Sequence, residues 1–525
     1  MFKNSKRVLI LLILFSSLPL LGQKEDQSLS LSLEDCILKT IKSNLGLAVE
    51  VITPEIADVS VSLASEKFMP TVSLNYNKQD TKSASYSFLD ASETVATLQN
   101  DYTAQLSQLI PTGGSLSLSL YSYMTDTNRR ATTINPRYGS TLRFNFSQPL
   151  LKDFGFKMNR REIIIAQNNR DISEMNYSRV LEDAIYKVNQ AYWNLFYSLE
   201  NLKVRRQSLK LAQELLEKNK AEIEAGTLPP IEILTAQADV ATREADILEA
   251  EAMVKNNEDL LKTIINLPAE FDNADALSII PTDNPSVVRK DFSLENALSS
   301  AMEKRPELQA VRIDLGNKEL NLSYARNQLF PDLRVQASYW SPGISGDQIL
   351  YEGGNALTGK IIGKIPGPST DAMKDAFHFK YKNWSVGVVL SYPLNNLFSR
   401  AFYGQAKLNL EQAKVKLKDG EQQIFLEIKM AVRAVQTNYQ RVEAYRAARE
   451  LAQKKLEAEE EKFKVGLSTN YFILQYQRDL ANAQITELKA VVDYNISLAY
   501  LSRVQGTSLE EQNINVSQYL EDKKQ

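Results

Sequence analysis

Apolar residues recur at two different periods along this chain, and the periods separate long helical tracts from short alternating strands. On the helical side, Val188, Ala191, Leu195, Leu202, Leu209, Ala212, Leu216 and Ile223 follow a 3-4 alternation with polar vacancies at Ser198, Arg205 and Asn219. Moved forward by 240 residues, the same seam reads Ile428, Ala431, Val435, Val442, Arg449, Ala452, Leu456 and Phe463, with one break at Arg449. A spacing near 3.5 predicts coiled-coil contact between neighbouring helices. On the strand side, GSLSLSLYSY (114–123) places Leu116, Leu118 and Leu120 opposite Ser115, Ser117 and Ser119. TVSLNY (71–76), TLRFNFS (141–147), LRVQASY (333–339) and WSVGVVLSY (384–392) alternate in the same way.

These patterns predict a helix over 31–67, strands within 70–148, a long helix over 158–225, a turn at 225–230 and a helix over 229–267. After residues 268–292 the order returns: a helix over 293–329, strands within 331–393, a long helix over 398–464, a turn at 465–470 and a helix over 471–503. The letters repeat too. FSLENALSSAMEKRPEL (292–308) answers LSLEDCILKTIKSNLGL (31–47), and Leu451, Ala452, Gln453 and Gly466 answer Leu211, Ala212, Gln213 and Gly226. The chain is accordingly divided into a first structural repeat (23–267), an equatorial linker (268–292), a second structural repeat (293–505) and a C-terminal tail (506–525). A long helix over 398–464 reaches ~100 Å at 1.5 Å per residue, far beyond what a globular core covers, so the helices are expected to pack as antiparallel hairpins in a wall.

Charge and composition narrow the setting. Lys3, Lys6 and Arg7 precede the apolar stretch Val8–Leu21, so residues 1–22 read as a secretory signal peptide. No later apolar run is long enough for a membrane helix, so any membrane-embedded part is expected to be built from strands closed into a barrel. The expected fold is mainly α with a membrane β-barrel portion: long antiparallel helical hairpins forming an α-barrel, plus about four transmembrane strands per protomer. Four strands cannot close a barrel, so oligomerisation follows, with the number of copies open. Whether the hairpin around residues 101–123 joins the barrel is also left open. Tyr121, Tyr123, Tyr339, Trp340, Trp384 and Tyr392 are candidates for interfacial aromatic girdles.

Candidate chemistry is sparse. The net charge of −3 comes without a basic patch, which argues against nucleic acid. Cys36 is the single cysteine and His378 the single histidine, so neither an intrachain disulfide nor a metal-spaced His/Cys set is available. There is no phosphate-binding loop and no His-based triad beyond His378. No catalytic residue, metal or cofactor is expected, and the chain does not read as an enzyme. A non-pore exported coiled-coil structural protein is the alternative reading.

In their order, several fragments resemble the TolC family of outer-membrane efflux proteins. They are the LSLEDCILKTIKSN and FSLENALSSAMEKRPEL openings, MP (69–70) and FP (330–331) before the strands, SQPLL and SYPLN after them, and the turns IEAGTLPPIEILTAQAD and FKVGLSTNYFILQYQRD. The resemblance implies a homotrimer in the cell outer membrane, in contact with its lipid and extending into the periplasm. It also implies a porin-like exit duct for small molecules or proteins, docked to a periplasmic adaptor and an inner-membrane transporter of an efflux pump or type I secretion system. On the positions that match, the adaptor-contacting turns are Gly226, Thr227 and Leu228, and Val465, Gly466, Leu467 and Ser468. Where well-known members carry two ring-forming aspartates, this chain has Phe472 and Gln475; their partner arginine matches Ser468 and their partner tyrosine matches Phe463. An acidic, charge-locked gate is therefore not expected. Phe472 either forms an apolar constriction with Gln475 as a polar ring beneath it or packs between helices, and Glu232 is the candidate acidic lining residue.

Overall fold

The structure, a computed structural model, describes residues 27–86, 90, 93–130, 132–226, 229–267, 277–356 and 360–515. The expected signal peptide, part of the linker (268–276) and the end of the tail (516–525) lie outside the described residues. From the N-terminus, β1 (Gln27–Leu31) leads into α1 (Leu33–Ser43) and α2 (Leu45–Glu66). Strands β2 (Thr71–Ala84), β3 (Thr94–Leu109), β4 (Ser115–Thr127) and β5 (Ile134–Pro149) follow. A short α3 (Phe156–Asn159) precedes the 64-residue α4 (Arg161–Glu224), then come α5 (Ile231–Ile264) and β6 (Leu277–Pro281). The second half runs α6 (Leu294–Lys304), α7 (Pro306–Asn327), β7 (Asp332–Tyr351), β8 (Ile361–Ile365), α8 (Ser369–Phe377) and β9 (Asn383–Ser391). It closes with the 68-residue α9 (Leu397–Lys464), α10 (Asn470–Gln505) and α11 (Ser508–Glu511).

Two predicted helices are broken in two, for different chemical reasons. Within 31–67 the break is at Asn44, whose backbone turns extended (φ −65°, ψ 123°) while its side-chain amide donates to the Ile264 carbonyl at 2.8 Å. Within 293–329 the break is at Arg305, extended at φ −61°, ψ 121° because Pro306 follows. The pyrrolidine ring disfavours helical backbone in the residue before it and suits the first position of the next helix. Helix α1 starts on a reciprocal capping box, in which the Ser32 hydroxyl accepts from the Asp35 amide and the Asp35 carboxylate accepts from the Ser32 amide.

The contacts divide the chain into two compact units. The first holds the described residues within 1–45, 184–290 and 433–500. In it β1 and β6 pair as a parallel two-stranded sheet that the strand patterns did not predict. The Tyr192 hydroxyl fixes this ribbon by donating to the Leu31 carbonyl at 3.2 Å and the Asp283 carboxylate at 3.0 Å. Cys36, Ile37, Leu261, Ile265 and Ile279 are buried in the same unit, and burial pushes the Cys36 thiol up to about 12, as suits an inert apolar packing group.

The second unit holds the described residues within 46–183, 291–432 and 501–525. It contains an antiparallel sheet that corrects the fold-class expectation. Instead of about four transmembrane strands there are seven, in the order β2-β3-β4-β5-β7, with both β8 and β9 on the far edge of β7. The sheet is open: β2 does not pair with β8 or β9, so no closed barrel is found among the described residues, and none of these strands is established as transmembrane. The extra strands have local causes. The hairpin at Pro111-Thr112-Gly113-Gly114 is held by Ile110 N–H donating to Gly114 O at 2.8 Å, so β3 and β4 join the sheet in full register. Residues 341–383, between the alternating segments 333–339 and 384–392, extend β7 to 20 residues and contribute β8 and α8. No described helix is long and apolar enough to cross a membrane.

Candidate functional site: the helix turns

Both long helices end on a glycine in the left-handed region, Gly226 at φ +75° and Gly466 at φ +77°. Around Gly466 the closure is complete: its N–H donates to Phe463 O at 3.0 Å and the Leu467 N–H reaches back to Lys462 O at 2.9 Å. This satisfies carbonyls that the helix end would leave open, and the backbone sign requires glycine although the space around it is empty. Gly226 N–H donates to Ile223 O at 2.9 Å. Thr227 and Leu228, predicted with Gly226 as a contact turn, lie outside the described residues.

The second turn displays apolar side chains. Val465 is 68% and Leu467 78% exposed. Ser468 turns inward: its hydroxyl donates to the Glu459 carboxylate at 2.7 Å, and that bond, together with Lys462, holds the carboxyl below its usual range. Phe463 also turns inward, packing on the cluster of Ala212, Leu215, Ile473 and Leu474 with the Lys218 ammonium 4.7 Å above its ring. Phe472 stays 42% exposed, edge-on to Tyr471 at 5.6 Å and tilted against Tyr476 at 6.3 Å. Gln475 is exposed and shares a cleft of about 400 Å³ with Thr235, Asp239, Tyr471 and Arg478. Glu232, half-buried in the first turn of α5, is not among the residues lining that cleft.

A charge cluster behind these residues went unpredicted. Arg243 on α5 is only 4% exposed, and its guanidinium ties three helices. It lies 2.7 Å from the Asp239 carboxylate, donates to the Ser208 carbonyl of α4 at 2.6 Å and its hydroxyl at 3.0 Å, and reaches the Leu474 carbonyl of α10 at 3.3 Å. Arg478 of α10 pairs with the same Asp239. The available signal was Asp239 and Arg243 four apart on one face of a helix. Asn219 and Asn470 are buried nearby in sequence to the two turns, with side-chain amides that have no hydrogen-bond partner among the described residues. No described group of three or more His, Cys, Asp or Glu side chains is arranged to hold a metal ion.

Comparison with known proteins places this architecture. A sequence profile described as "Outer membrane efflux protein" matches residues 115–267 and 297–507. Outer membrane protein TolC of Vibrio cholerae is 23% identical over 374 residues, covering 71% of this chain and 78% of that protein. Two solved structures share the fold at low identity. The Campylobacter jejuni CmeC outer membrane channel has a TM-score of 0.63 at 17% identity, covering 93% of this chain and 88% of that one. The Neisseria gonorrhoeae MtrE outer membrane channel has a TM-score of 0.60 at 18% identity, covering 91% and 89%. The protein is thus of the outer-membrane channel class. The chain belongs to the outer membrane efflux protein family, the TolC family: it resides in the outer membrane, extends into the periplasm and serves as an efflux duct, not as an enzyme.

Proposed function

We propose that three copies of this chain assemble into an exit duct whose helix turns receive a periplasmic adaptor, which links it to an inner-membrane transporter. The observation that carries the docking reading is the turn at 465–468, where a glycine-locked backbone holds out Val465 and Leu467, 68% and 78% exposed. Exposed apolar side chains on a rigid turn favour protein contact over solvation. In this reading Gly226, Thr227 and Leu228 form the companion turn, and the two structural repeats 23–267 and 293–505 supply one turn each. Self-association is supported by α2, where Val49, Ile52, Ile56, Val59 and Leu63 follow a 3-4 spacing and are all exposed in the single chain.

Phe472 is the constriction residue in this proposal, with Gln475 as a polar neighbour and Glu232 as an acidic lining group. The exposure of Phe472 and its packing on Tyr471 and Tyr476 support an aromatic lip. Ser468 and Phe463 take supporting parts, bonding to Glu459 and packing the cluster behind the turn. Leu467→Asp is expected to abolish co-purification of the chain with its adaptor while leaving assembly intact; undiminished capture removes the docking reading. Single-channel recording tests the lip separately: Phe472→Ala is expected to raise conductance, and an unchanged trace removes Phe472 from the constriction.

A further inference from the structure

Helix α9 presents three different surfaces over its first half. Ala406, Leu410, Ala413, Ile424 and Ile428 are buried, and Phe402 packs edge-on to Tyr324 of α7 at 6.3 Å. On the opposite side of the helix Leu408, Val415, Leu426 and Met430 are exposed, a counterpart to the exposed stripe on α2. Between these two sides Arg400, Lys407, Lys414, Lys418 and Lys429 follow one another at intervals of 7, 7, 4 and 11 residues, each close to a whole number of helical turns. All five are exposed, and together they draw a basic line ~44 Å long. Among the described residues Lys414 alone of the five has a carboxylate at ion-pair distance, Glu411 at 3.1 Å. Lys414 and Lys418, four apart, repel each other across one turn, so folding does not account for the line. The remaining side of the helix is of mixed sign: it carries Lys416 and Glu427, and Glu427 is taken by Arg305 at 2.6 Å.

The polar face of the sheet in the same unit shows the same excess. Arg143 lies over the Trp340 ring at 4.8 Å and Arg137 over the Tyr123 ring at 5.5 Å, and neither has a carboxylate partner among the described residues. Arg334 on that face is matched by Asp332 at 2.7 Å, and the Asp101 carboxylate accepts from Tyr121 and Gln99.

We propose that the basic line on α9 faces the interior of the duct and makes it selective for anionic solutes. This rests on the exit-duct reading and adds to it a class of cargo. With one side of α9 against α7 and the opposite side covered by the next copy, two sides of the helix remain, one toward the passage and one toward the periplasm. Open solvent screens a row of like charges, whereas a narrow water-filled passage with low-dielectric walls focuses their field and concentrates counter-ions. The single-signed side is therefore assigned to the passage and the mixed side to the periplasm.

The test uses the full chain in planar lipid bilayers under a KCl gradient centred near ~0.1 M, where the screening length is ~10 Å. The reversal potential is expected to show chloride preferred over potassium, and the preference to fade near ~1 M salt, where that length falls to ~3 Å. Replacing Lys407, Lys414, Lys418 and Lys429 together by glutamine is expected to lower the chloride-to-potassium permeability ratio about threefold or more. Lys416→Gln, on the mixed side, is expected to leave the ratio unchanged. Lys414→Glu reverses one charge and shifts the ratio in the same direction if the fourfold variant fails to assemble. Cys36, the only cysteine, is buried, so Lys418→Cys offers a single reactive thiol, expected to resist a maleimide carried on a protein too large to enter the passage. A preference for potassium, a ratio that survives neutralisation of the line, an equal shift from Lys416→Gln, or ready labelling of Lys418→Cys by the large reagent overturns the inference and leaves the duct reading standing. Absence of conductance in the wild type and Phe472→Ala alike removes both.

Discussion

In the unit that carries the helix turns, Arg243 is buried against Asp239 and three backbone or hydroxyl oxygens, whereas in the other unit Glu182 is equally buried, at 4% exposure, with no such set of partners among the described residues. Burial pulls the Arg243 guanidinium down from its ordinary value while Asp239 pulls it back, and it stays charged. Burial pushes the Glu182 carboxyl up to about 8; Glu307 and Asp183 add to the rise, and Arg503 and Arg305 oppose it. The arginines near Glu182 are already committed. Arg305 pairs with Glu307 and, at 2.6 Å, with Glu427, and Arg503 pairs with Asp183 at 2.7 Å. A buried charge is tolerable when its own hydrogen bonds are met and expensive when neighbouring cations are spent on others.

The largest expected effect follows from the first cluster. Arg243→Met leaves Asp239 buried with a single partner and three helices untied, so a loss of about 3–5 kcal/mol is expected, read as a lower urea midpoint in detergent. Next comes Glu182→Gln. The folded state holds its proton to about pH 8 while the unfolded chain releases it near 4.5, so the folded state binds more protons between these values and the wild type loses stability as pH rises through that window. The glutamine variant is expected to match the wild type near pH 4 and exceed it by about 2–4 kcal/mol at pH 9. A constant difference across pH would mean that Glu182 does not titrate in this way. Arg503→Met removes a cation that favours ionised Glu182, so the pH window of that loss should extend upward, with about 1 kcal/mol lost from the Asp183 pair. Arg478→Met should cost the least, about 0–1 kcal/mol, because the Arg478 side chain is half exposed although it touches the same Asp239.

The sequence made the long helices legible because apolar spacing over dozens of residues is a strong signal, and the left-handed glycines legible because Gly226 and Gly466 fall where helical periodicity stops. The buried charges were hidden by the same logic. Ser198 and Asn219, read as polar vacancies in the seam, are fully buried, and a polar letter in a periodic pattern does not say which way it faces. The Arg449 break has a plain cause in an ion pair with Glu487 at 2.5 Å. Strand β1 was missed because five residues of QSLSL find their partner about 250 positions away, a distance no local pattern spans. The strand count falls short because the hairpin around residues 101–123 contributes β3 and β4 and because β8 lies within 341–383, outside the alternating segments, where Gly343 serves the packing of α8. Among the candidate gate residues, Phe463 and Ser468 face inward, which depends on tertiary contacts that spacing does not encode.

Gly343 has no unusual backbone torsion, yet a methyl group placed there would run into the Ala372 carbonyl oxygen. The obstacle is main chain, which cannot swing aside like a side chain. Helix α8 therefore rests on the sheet through a gap one hydrogen atom wide, and that gap gauges how high the helix stands above the strands. Any heavier residue at this point would act as a shim, tilting the helix and reshaping the space beneath it without altering a single other group there.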